Sequence, residues 1–511
     1  MCGIAGIVGR PGPDVPRAAE RMQAALRHRG PDGHGLWQAE GGGVVFAHTR
    51  LAVIDLSEHA RQPMSTADGR LTLVLSGEIY NYRELRRELE PHAPFRSHSD
   101  TEVLLHGLRL QGTAFVRKLR GMFAFAAWDA DTRSCLLARD PFGLKPLYFH
   151  RAADGALLFA SELRALMASR LVPPALEPRG VQGYLRTGTV PEPFTLVREA
   201  MCVEAGHLLQ WHNGRIQTHQ YRDLRFSPDG ETNHHVDRTR VALVDTVRHH
   251  LVSDVPVGLL LSGGVDSSAL LALASVSGAG PVQTISMVLP GSDADEGALA
   301  RKTAARFGAT HSEVAVDAVS ARELFPEYLA SIDQPSIDGF NTYVVSRFAR
   351  DLGLRVVLSG VGADELFGGY ASFTRIPQMT GWNAQLSRSG AWRRLGGLVL
   401  ERLAPDARWR RVGDLLQQPP TLENAHAVFR GIFTRRESQR IAATLGVETG
   451  LDDGIAAVAP EGTAEDTVSR LELTRYVRNQ LARDSDAASM ACGVELRAPF
   501  LDAPLFDTLS R

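Results

Sequence analysis

Cysteine is scarce: Cys2, Cys135, Cys202 and Cys492 are the only four in 511 residues. They are widely scattered and form no CxxC or Cys/His spacing, which excludes a zinc ribbon or a disulfide framework and fits a reducing compartment. No apolar run approaches the roughly 18–20 residues needed to span a bilayer, and the amino terminus has no basic stretch followed by an apolar one. A cytoplasmic chain without a membrane partner is expected. An excess of one charge is also missing. The 56 Lys+Arg and 58 Asp+Glu residues nearly cancel, so no overall positive field draws phosphate backbones, and nucleic acid is not an expected partner. Solenoid-period repeats and low-complexity tracts are absent. What remains is an ordinary globular composition, 44% hydrophobic and 22% charged, on a chain long enough for roughly two to four domains.

The first 215 residues read as strands and turns with a few helices. The runs Gly43–Ala47, Leu71–Leu75, Met122–Trp128 and Ser134–Ala138 are punctuated by Gly41-Gly42-Gly43, Asp68-Gly69 and Asp129-Ala130-Asp131. From about Val236 the texture changes. Helical periodicity over Val236–Leu251 precedes an apolar strand at Val257–Leu261, a glycine turn, a small-residue helix at Ser267–Ser275 and another apolar strand at Val282–Val288. That alternation predicts a parallel α/β sheet with crossover helices. Domains are expected at 1–215 and 235–511, joined by a linker over 216–234 around Ser227-Pro228-Asp229-Gly230. Residues 384–445, rich in Arg and Leu, read as an amphipathic helical cover.

Cys2 directly follows Met1, and its small side chain permits removal of that methionine. The mature chain would then begin with a thiol beside its own α-amino group, which titrates at about 7.7–8.0 and can take the thiol proton at neutral pH. One residue would supply both nucleophile and base. Met1-Cys2-Gly3-Ile4-Ala5-Gly6 is followed in order by His28-Arg29-Gly30-Pro31-Asp32-Gly33, Ala47-His48-Thr49-Arg50-Leu51-Ala52-Val53-Ile54-Asp55, Ser76-Gly77-Glu78-Ile79-Tyr80-Asn81, His98-Ser99-Asp100-Thr101-Glu102 and Arg139-Asp140-Pro141-Phe142-Gly143-Leu144-Lys145-Pro146-Leu147-Tyr148. This series resembles the class II, amino-terminal-nucleophile glutamine amidotransferase domain, and the whole chain is similar to the asparagine synthetase B family.

The resemblance implies an N-terminal αββα sandwich of the Ntn-hydrolase type in which Cys2 attacks the glutamine amide. Arg50 would hold the substrate carboxylate bidentately, Glu78 and Asp100 would receive its ammonium, and Val53 would complete the contacts. The Gly77 N–H would help hold the tetrahedral oxyanion. Ser76 departs from the family, which usually carries Asn there. Losing an oxyanion donor costs on the order of 10²–10³ in rate, and a serine hydroxyl reaches only through water or not at all, so a weakened glutaminase is expected. The segments Arg29–Gly33 and Arg139–Lys145 read equally well as loop architecture.

In the second half, Leu259-Leu260-Leu261-Ser262-Gly263-Gly264-Val265-Asp266-Ser267-Ser268 is an apolar strand running into a turn that opens a helix. Such a turn presents backbone N–H groups and a helix N-terminus to phosphate, and it lacks the lysine of a Walker loop. It resembles the SGGxDSS loop of ATP pyrophosphatases, which implies a parallel-sheet, adenine nucleotide α-hydrolase-like domain. Val356 to Tyr370 is similar to that family's other signature. By resemblance Leu261, Ser262, Gly263, Gly264, Asp266, Ser267, Ser268, Ile285, Ser286, Ser359 and Gly360 contact ATP, and Asp266 and Asp364 hold Mg²⁺, a hard ion that prefers oxygen ligands. N-capping is the other reading of both aspartates. The stretch Leu481–Asp502 reads equally as binding or as structural.

The implied reaction is glutamine-dependent asparagine synthesis. ATP converts the side-chain carboxylate of aspartate to an acyl-adenylate, and ammonia from glutamine crosses an internal channel to attack it. The resemblance also allows a homodimer, and it extends to relatives that amidate or cyclise other carboxylates. Val361 stands where family synthetases commonly carry an acid, which favours such an acceptor. The sequence ends at Arg511, where relatives continue with a lysine-bearing segment, so an impaired or partner-completed synthetase half is a third reading.

Overall fold

The computed structural model describes residues 2–511 apart from 228–233, 279, 281, 293–294, 388–389, 449 and 451–456. The expected linker centre, Pro228-Asp229-Gly230, therefore lies outside the described residues. The strands are, in chain order, β1 (Gly3–Val8), β2 (Gly33–Gln38), β3 (Val44–Arg50), β4 (Met64–Ser65), β5 (Leu71–Ile79), β6 (Gly121–Asp129), β7 (Ser134–Arg139), β8 (Tyr148–Arg151), β9 (Leu157–Ala160), β10 (Ala200–Cys202), β11 (His207–His212) and β12 (Arg215–Gln220). They form two six-stranded antiparallel sheets with the orders β10-β8-β9-β1-β3-β2 and β12-β11-β7-β6-β5-β4.

The period-2 alternation of these strands fixes the layers. Along β1 and β3, Ile4, Val8, Val44 and Phe46 point inward and meet Val74, Ala124 and Ala126 of the other sheet. Ala5, Ile7, Val45 and Ala47 point the other way, onto the helices Asp14–Ala25 and Leu163–Ala168. Leu73, Leu75, Phe123 and Phe125 on the far face of the second sheet pack on Leu85, Val103 and Leu104 of the helices Tyr82–Leu89 and Asp100–Gln111. The result is an αββα sandwich whose two inner sheets are buried on both faces.

The second half holds β13 (Val257–Leu260), β14 (Gln283–Val288), β15 (Thr310–Ala315), β16 (Val356–Leu358) and β17 (Glu495–Arg497). Every pairing in this sheet is parallel, in the order β15-β14-β13-β16-β17. Helices His235–His250 and Val265–Val276 lie where periodicity predicts them. The sequence order of the strands reverses between β13 and β16, and a ligand crevice is expected outside the carboxyl ends of strands at such a switch point. Residues 384–445 are largely helical, in Ala391–Leu403, Ala407–Leu416, Leu422–Phe429 and Arg435–Thr444. Among the described residues no helix is long and apolar enough to cross a membrane.

Candidate active site

Cys2 sits at the head of β1, and the Gly3–Thr49 register places Arg50, the last residue of β3, beside it. The thiol is buried and donates to the Leu51 carbonyl at 3.9 Å. Burial pushes it up to about 11, so the thiol rather than the thiolate is the form at neutral pH. A nearby proton acceptor is therefore needed. The α-amino group expected to serve requires loss of Met1, which lies outside the described residues.

The Ser76 hydroxyl crosses between the sheets and donates to the Cys2 carbonyl at 2.6 Å. It thus anchors the nucleophile's backbone. Gly77 has φ +132°, and a Cβ there would lie 2.0 Å from the Met122 carbonyl oxygen, so only glycine fits. Glu78 follows, buried, with Oε2 lacking a hydrogen-bond partner. Burial and the carboxylates of Glu495 and Asp100 hold Glu78 well above the usual range. Asp100 opens its helix and accepts the Ile79 N–H at 2.9 Å, and burial pushes it up to about 6. The Arg50 guanidinium donates to the carbonyls of Asp55 and Ser57. Val53 is buried, and its carbonyl accepts the Asp254 N–H at 3.0 Å. One cation, two acids and a thiol thus surround one small region.

Two segments that read equally as loop architecture carry the contact to the second half. Arg29 is fully buried and touches the Cys2 carbonyl through Nε at 3.3 Å, Glu162 through Nη1 at 2.9 Å and Asp486 through Nη2 at 2.8 Å. Lys145 Nζ lies 3.2 Å from the same Asp486, which offsets the burial that pulls its pKa down. Arg139 instead braces its own loop, donating to the carbonyls of Gly143, Lys145 and Val203. On β17, Arg497 donates to Glu495 at 2.6 Å and stands over the Tyr80 ring at 5.3 Å. Although burial opposes it, the amino-terminal charge and then the Arg497 and Lys145 cations hold the Glu495 carboxyl below the usual range, whereas its neighbour Glu78 is held above it. Removing one partner from such a buried network leaves charges uncompensated. Asp486→Ala is expected to destabilise the fold by about 3–5 kcal/mol in urea unfolding, and a loss under about 1 kcal/mol contradicts that role.

The other predicted site lies at the switch point. Ser262–Gly264 leads from β13 into its helix, and Ser359–Gly362 leads from β16 into the helix Ala363–Phe367. A Cβ on Gly360 would lie 3.3 Å from the Asp266 Cβ, so the two turns abut. Burial, then the charge of Asp364, pushes the Asp266 carboxyl upward. The Gly263 N–H donates to the Glu296 carboxylate at 2.8 Å, so this turn already holds an anion where a phosphate oxygen would fit.

A cleft of about 560 Å³ opens here, lined by Leu261, Ser262, Gly264, Asp266, Ser267, Ile285, Ser286, Ser359, Gly360 and Asp364. Gly263 and Ser268 stand outside that lining, and the Ser268 hydroxyl turns back to the Gly264 carbonyl at 2.8 Å. Ser286 likewise donates to the Leu261 carbonyl. Leu481, which opens the stretch read equally as binding or structural, lines the cleft, and sequence reasoning missed Glu296 and Asn341 on its wall. Neither has a local signal, because each comes from a different crossover. Among the described residues no group of three or more His, Cys, Asp or Glu could hold a metal. A cation between Asp266 and Asp364 would need ligand oxygens to complete its shell.

A cavity of about 20 Å³, room for one water-sized molecule, separates the halves and is lined by Met122, Leu144 and Lys145 on one side and Val361, Asp486 and Leu496 on the other. Met122 pairs with Glu78 in the β5–β6 ladder, and Val361 also lines the cleft.

Known proteins divide the chain along the same lines. Residues 1–222 match the glutamine amidotransferase domain family and residues 238–511 match the asparagine synthase family. A Mycobacterium tuberculosis (strain ATCC 25618 / H37Rv) protein provisionally named glutamine-hydrolyzing asparagine synthetase is 34% identical over 100% of this chain and 82% of its own. Glutamine-hydrolyzing asparagine synthetase 1 of Bacillus subtilis (strain 168) is 32% identical over 100% of this chain and 81% of its own. Asparagine synthetase B of Escherichia coli (strain K12) is 31% identical over 74% of this chain and 66% of its own. Two candidate sites on one chain, each on the half that its matching family covers, agree with these likenesses: the chain belongs to the asparagine synthase family.

Proposed function

We propose that this protein makes asparagine from aspartate, with ATP to activate the carboxylate and glutamine as the nitrogen donor. The observation that carries the reading is the cavity between Met122 and Val361, which borders the glutamine half on one side and the nucleotide cleft on the other. Ammonia released inside protein stays neutral and nucleophilic, whereas ammonia released into water at neutral pH is protonated.

In the glutaminase half, Cys2 forms the bond to the amide carbon, its proton passes to the α-amino group exposed by loss of Met1, and the Gly77 N–H donates to the developing oxyanion; the α-ammonium then returns the proton to the amide nitrogen, the C–N bond breaks to release ammonia, and water cleaves the thioester to glutamate and free Cys2. Arg50, Val53 and Asp100 hold the amino-acid end of glutamine, and Glu78, which burial and its neighbouring carboxylates hold well above the usual range, faces it as a neutral acceptor. Ser76 fixes the Cys2 carbonyl by its 2.6 Å bond, so it acts on the nucleophile's position. The ammonium contact sets a pH dependence. Asp100 is ionised above about 6, and a protonated carboxyl cannot pair with an ammonium. The α-amino base already makes kcat/KM for glutamine fall tenfold per unit below its own pKa, and Asp100 is expected to add a further factor approaching tenfold per unit as pH drops below about 6. An Asp100→Asn variant that keeps this additional steepening below about 6 contradicts the assignment.

In the synthetase half, the turns at Ser262–Ser268 and Ser359–Gly360 cradle ATP, with Ile285 and Ser286 at the adenine. Mg²⁺, held by Asp266 and Asp364, would screen phosphate charge and polarise the α-phosphorus. Val361 cannot accept a proton when ammonia attacks. Glu365 lines the same cleft, and burial holds it at about 7 while the Tyr370 hydroxyl donates to it at 3.0 Å. It is the group in this cleft suited to take that proton. Incubation with aspartate, ATP, Mg²⁺ and glutamine tests the reading. Asparagine, AMP and glutamate should appear in equal amounts, and AMP or glutamate without asparagine contradicts it.

A further inference from the structure

The loop that leaves β3 carries Arg50 and Val53 of the glutamine site, and its conformation depends on one buried residue. Asp55 has φ +50°, the left-handed region that a residue with a Cβ enters at a cost. Its carbonyl and that of Ser57 accept the two ends of the Arg50 guanidinium. Its carboxylate accepts the Ser57 N–H at 3.0 Å and the His98 N–H at 2.6 Å, two residues before Asp100. Asp55 therefore sets both the guanidinium that would meet the substrate carboxylate and the start of the helix that carries Asp100.

Two residues of the other half hold this loop. At its far end Asp254 accepts the Asp55 N–H on its carboxylate at 2.7 Å and donates its own N–H to the Val53 carbonyl at 3.0 Å. At its near end Arg355 donates through Nη1 to Asp32 at 2.8 Å and to the Ala52 carbonyl at 3.3 Å. The same Asp32 oxygen accepts the Ala52 N–H at 2.9 Å, and the Asp32 N–H donates to the Arg50 carbonyl at 2.9 Å. Arg355 thus secures the backbone from Arg50 to Ala52. Asp254 lies just before β13 and Arg355 immediately before β16, and these strands pair with Val257 opposite Val356. Both contacts come from the amino ends of the two strands whose carboxyl ends lead into the nucleotide cleft.

We propose that Asp254 and Arg355 are positioning residues for glutamine: acting through the loop, they hold Arg50 and Asp100 in the geometry that binds the amino-acid end, so the synthetase half completes the glutamine site. The inference rests on the reading of that site as a glutaminase and deepens it. Without the Asp254 carboxylate the Asp55 N–H loses its acceptor, and the left-handed turn loses a bond that offsets its strain. Arg50 then has no fixed carbonyl to lean on, and glutamine must order the loop as it binds, which raises KM. Cys2 is anchored separately, by Ser76 and Arg29 on its carbonyl, so kcat is spared. Arg355 is the weaker of the two, because its side chain is 41% exposed and its pair with Asp32 is screened by solvent.

Steady-state glutamine hydrolysis by the full chain, with KM and kcat resolved, tests the proposal. Asp254→Ala should raise KM for glutamine by about tenfold or more and Arg355→Met by about threefold, each with kcat within about threefold of wild type. Asp254→Asn keeps an acceptor for the Asp55 N–H and should bring KM back to within about threefold of wild type. Thermal melting of the three variants should stay within a few degrees of wild type, since both side chains lie at the surface of their half. An unaltered KM in Asp254→Ala, an equal rise in Asp254→Asn, or a fall in kcat at unchanged KM overturns the positioning role. So does a rise in KM seen only in variants whose melting temperature collapses, which marks contacts that serve the fold alone. A wild-type chain that releases no glutamate from glutamine contradicts the glutaminase reading itself, and the inference falls with it.

Discussion

Cys2→Ala is expected to lower glutamine hydrolysis by at least about 10⁴-fold, while asparagine formation from added ammonium salts stays within about twofold of wild type. The large loss follows because the residue supplies the attacking atom and the base on one position, and groups that act as a unit cannot be removed by halves. The small second effect follows from the architecture. Cys2 sits at the head of β1 in the first sandwich, whereas the nucleotide cleft is built from the carboxyl ends of β13 and β16. Alanine at this position also keeps the backbone groups that Ser76 and Arg29 bind, since both reach the carbonyl and not the thiol. Glutamate release and asparagine yield, measured separately with each nitrogen donor, check this. Equal loss with glutamine and ammonium would contradict the division of labour.

Asp266→Asn has the second largest expected effect: AMP formation falls by at least about 10³-fold with either nitrogen donor, and glutamine hydrolysis remains measurable. The substitution is nearly isosteric and removes one of the two charges that push on each other across the abutting turns. By relieving that repulsion it should leave the apo fold as stable or slightly more so, and it removes a hard oxygen ligand where phosphate charge must be screened. ATP–pyrophosphate exchange checks the chemistry and thermal melting checks the fold. Retained AMP formation, or a melting temperature several degrees lower, would remove Asp266 from the role assigned to it.

Much of the fold was legible because it rests on local periodicity. The apolar runs of β1, β3, β5 and β6 read as strands, almost wholly buried on both faces, and the switch to helical spacing near Val236 marks the start of the parallel-sheet half, whereas the αββα layering was legible only through the resemblance. The positions of Cys2, Gly77 and the Ser262–Ser268 turn were legible for a similar reason, since each needs a residue type that its own backbone or chemistry dictates. What the sequence could not reveal comes from distant chain segments. Asp486 meets Arg29 and Lys145 from more than 300 positions away, as Glu495 meets Glu78. The Ser76 hydroxyl, expected to reach the oxyanion only through water or not at all, is turned to the Cys2 carbonyl because the sheets stack that way. Glu296, which occupies the phosphate turn, arrives from the crossover after β14.

The central claim is that ammonia released at Cys2 reaches the cleft at Val361 without meeting bulk water, and isotope transfer tests it most directly. Glutamine labelled with ¹⁵N in its amide is supplied with aspartate and ATP in the presence of a large excess of unlabelled ammonium, and the asparagine amide is analysed by mass spectrometry at early times. Enrichment close to that of the glutamine amide is predicted while glutamine is present. Enrichment equal to that of the bulk ammonium pool would contradict transfer of ammonia between the two halves out of contact with solvent.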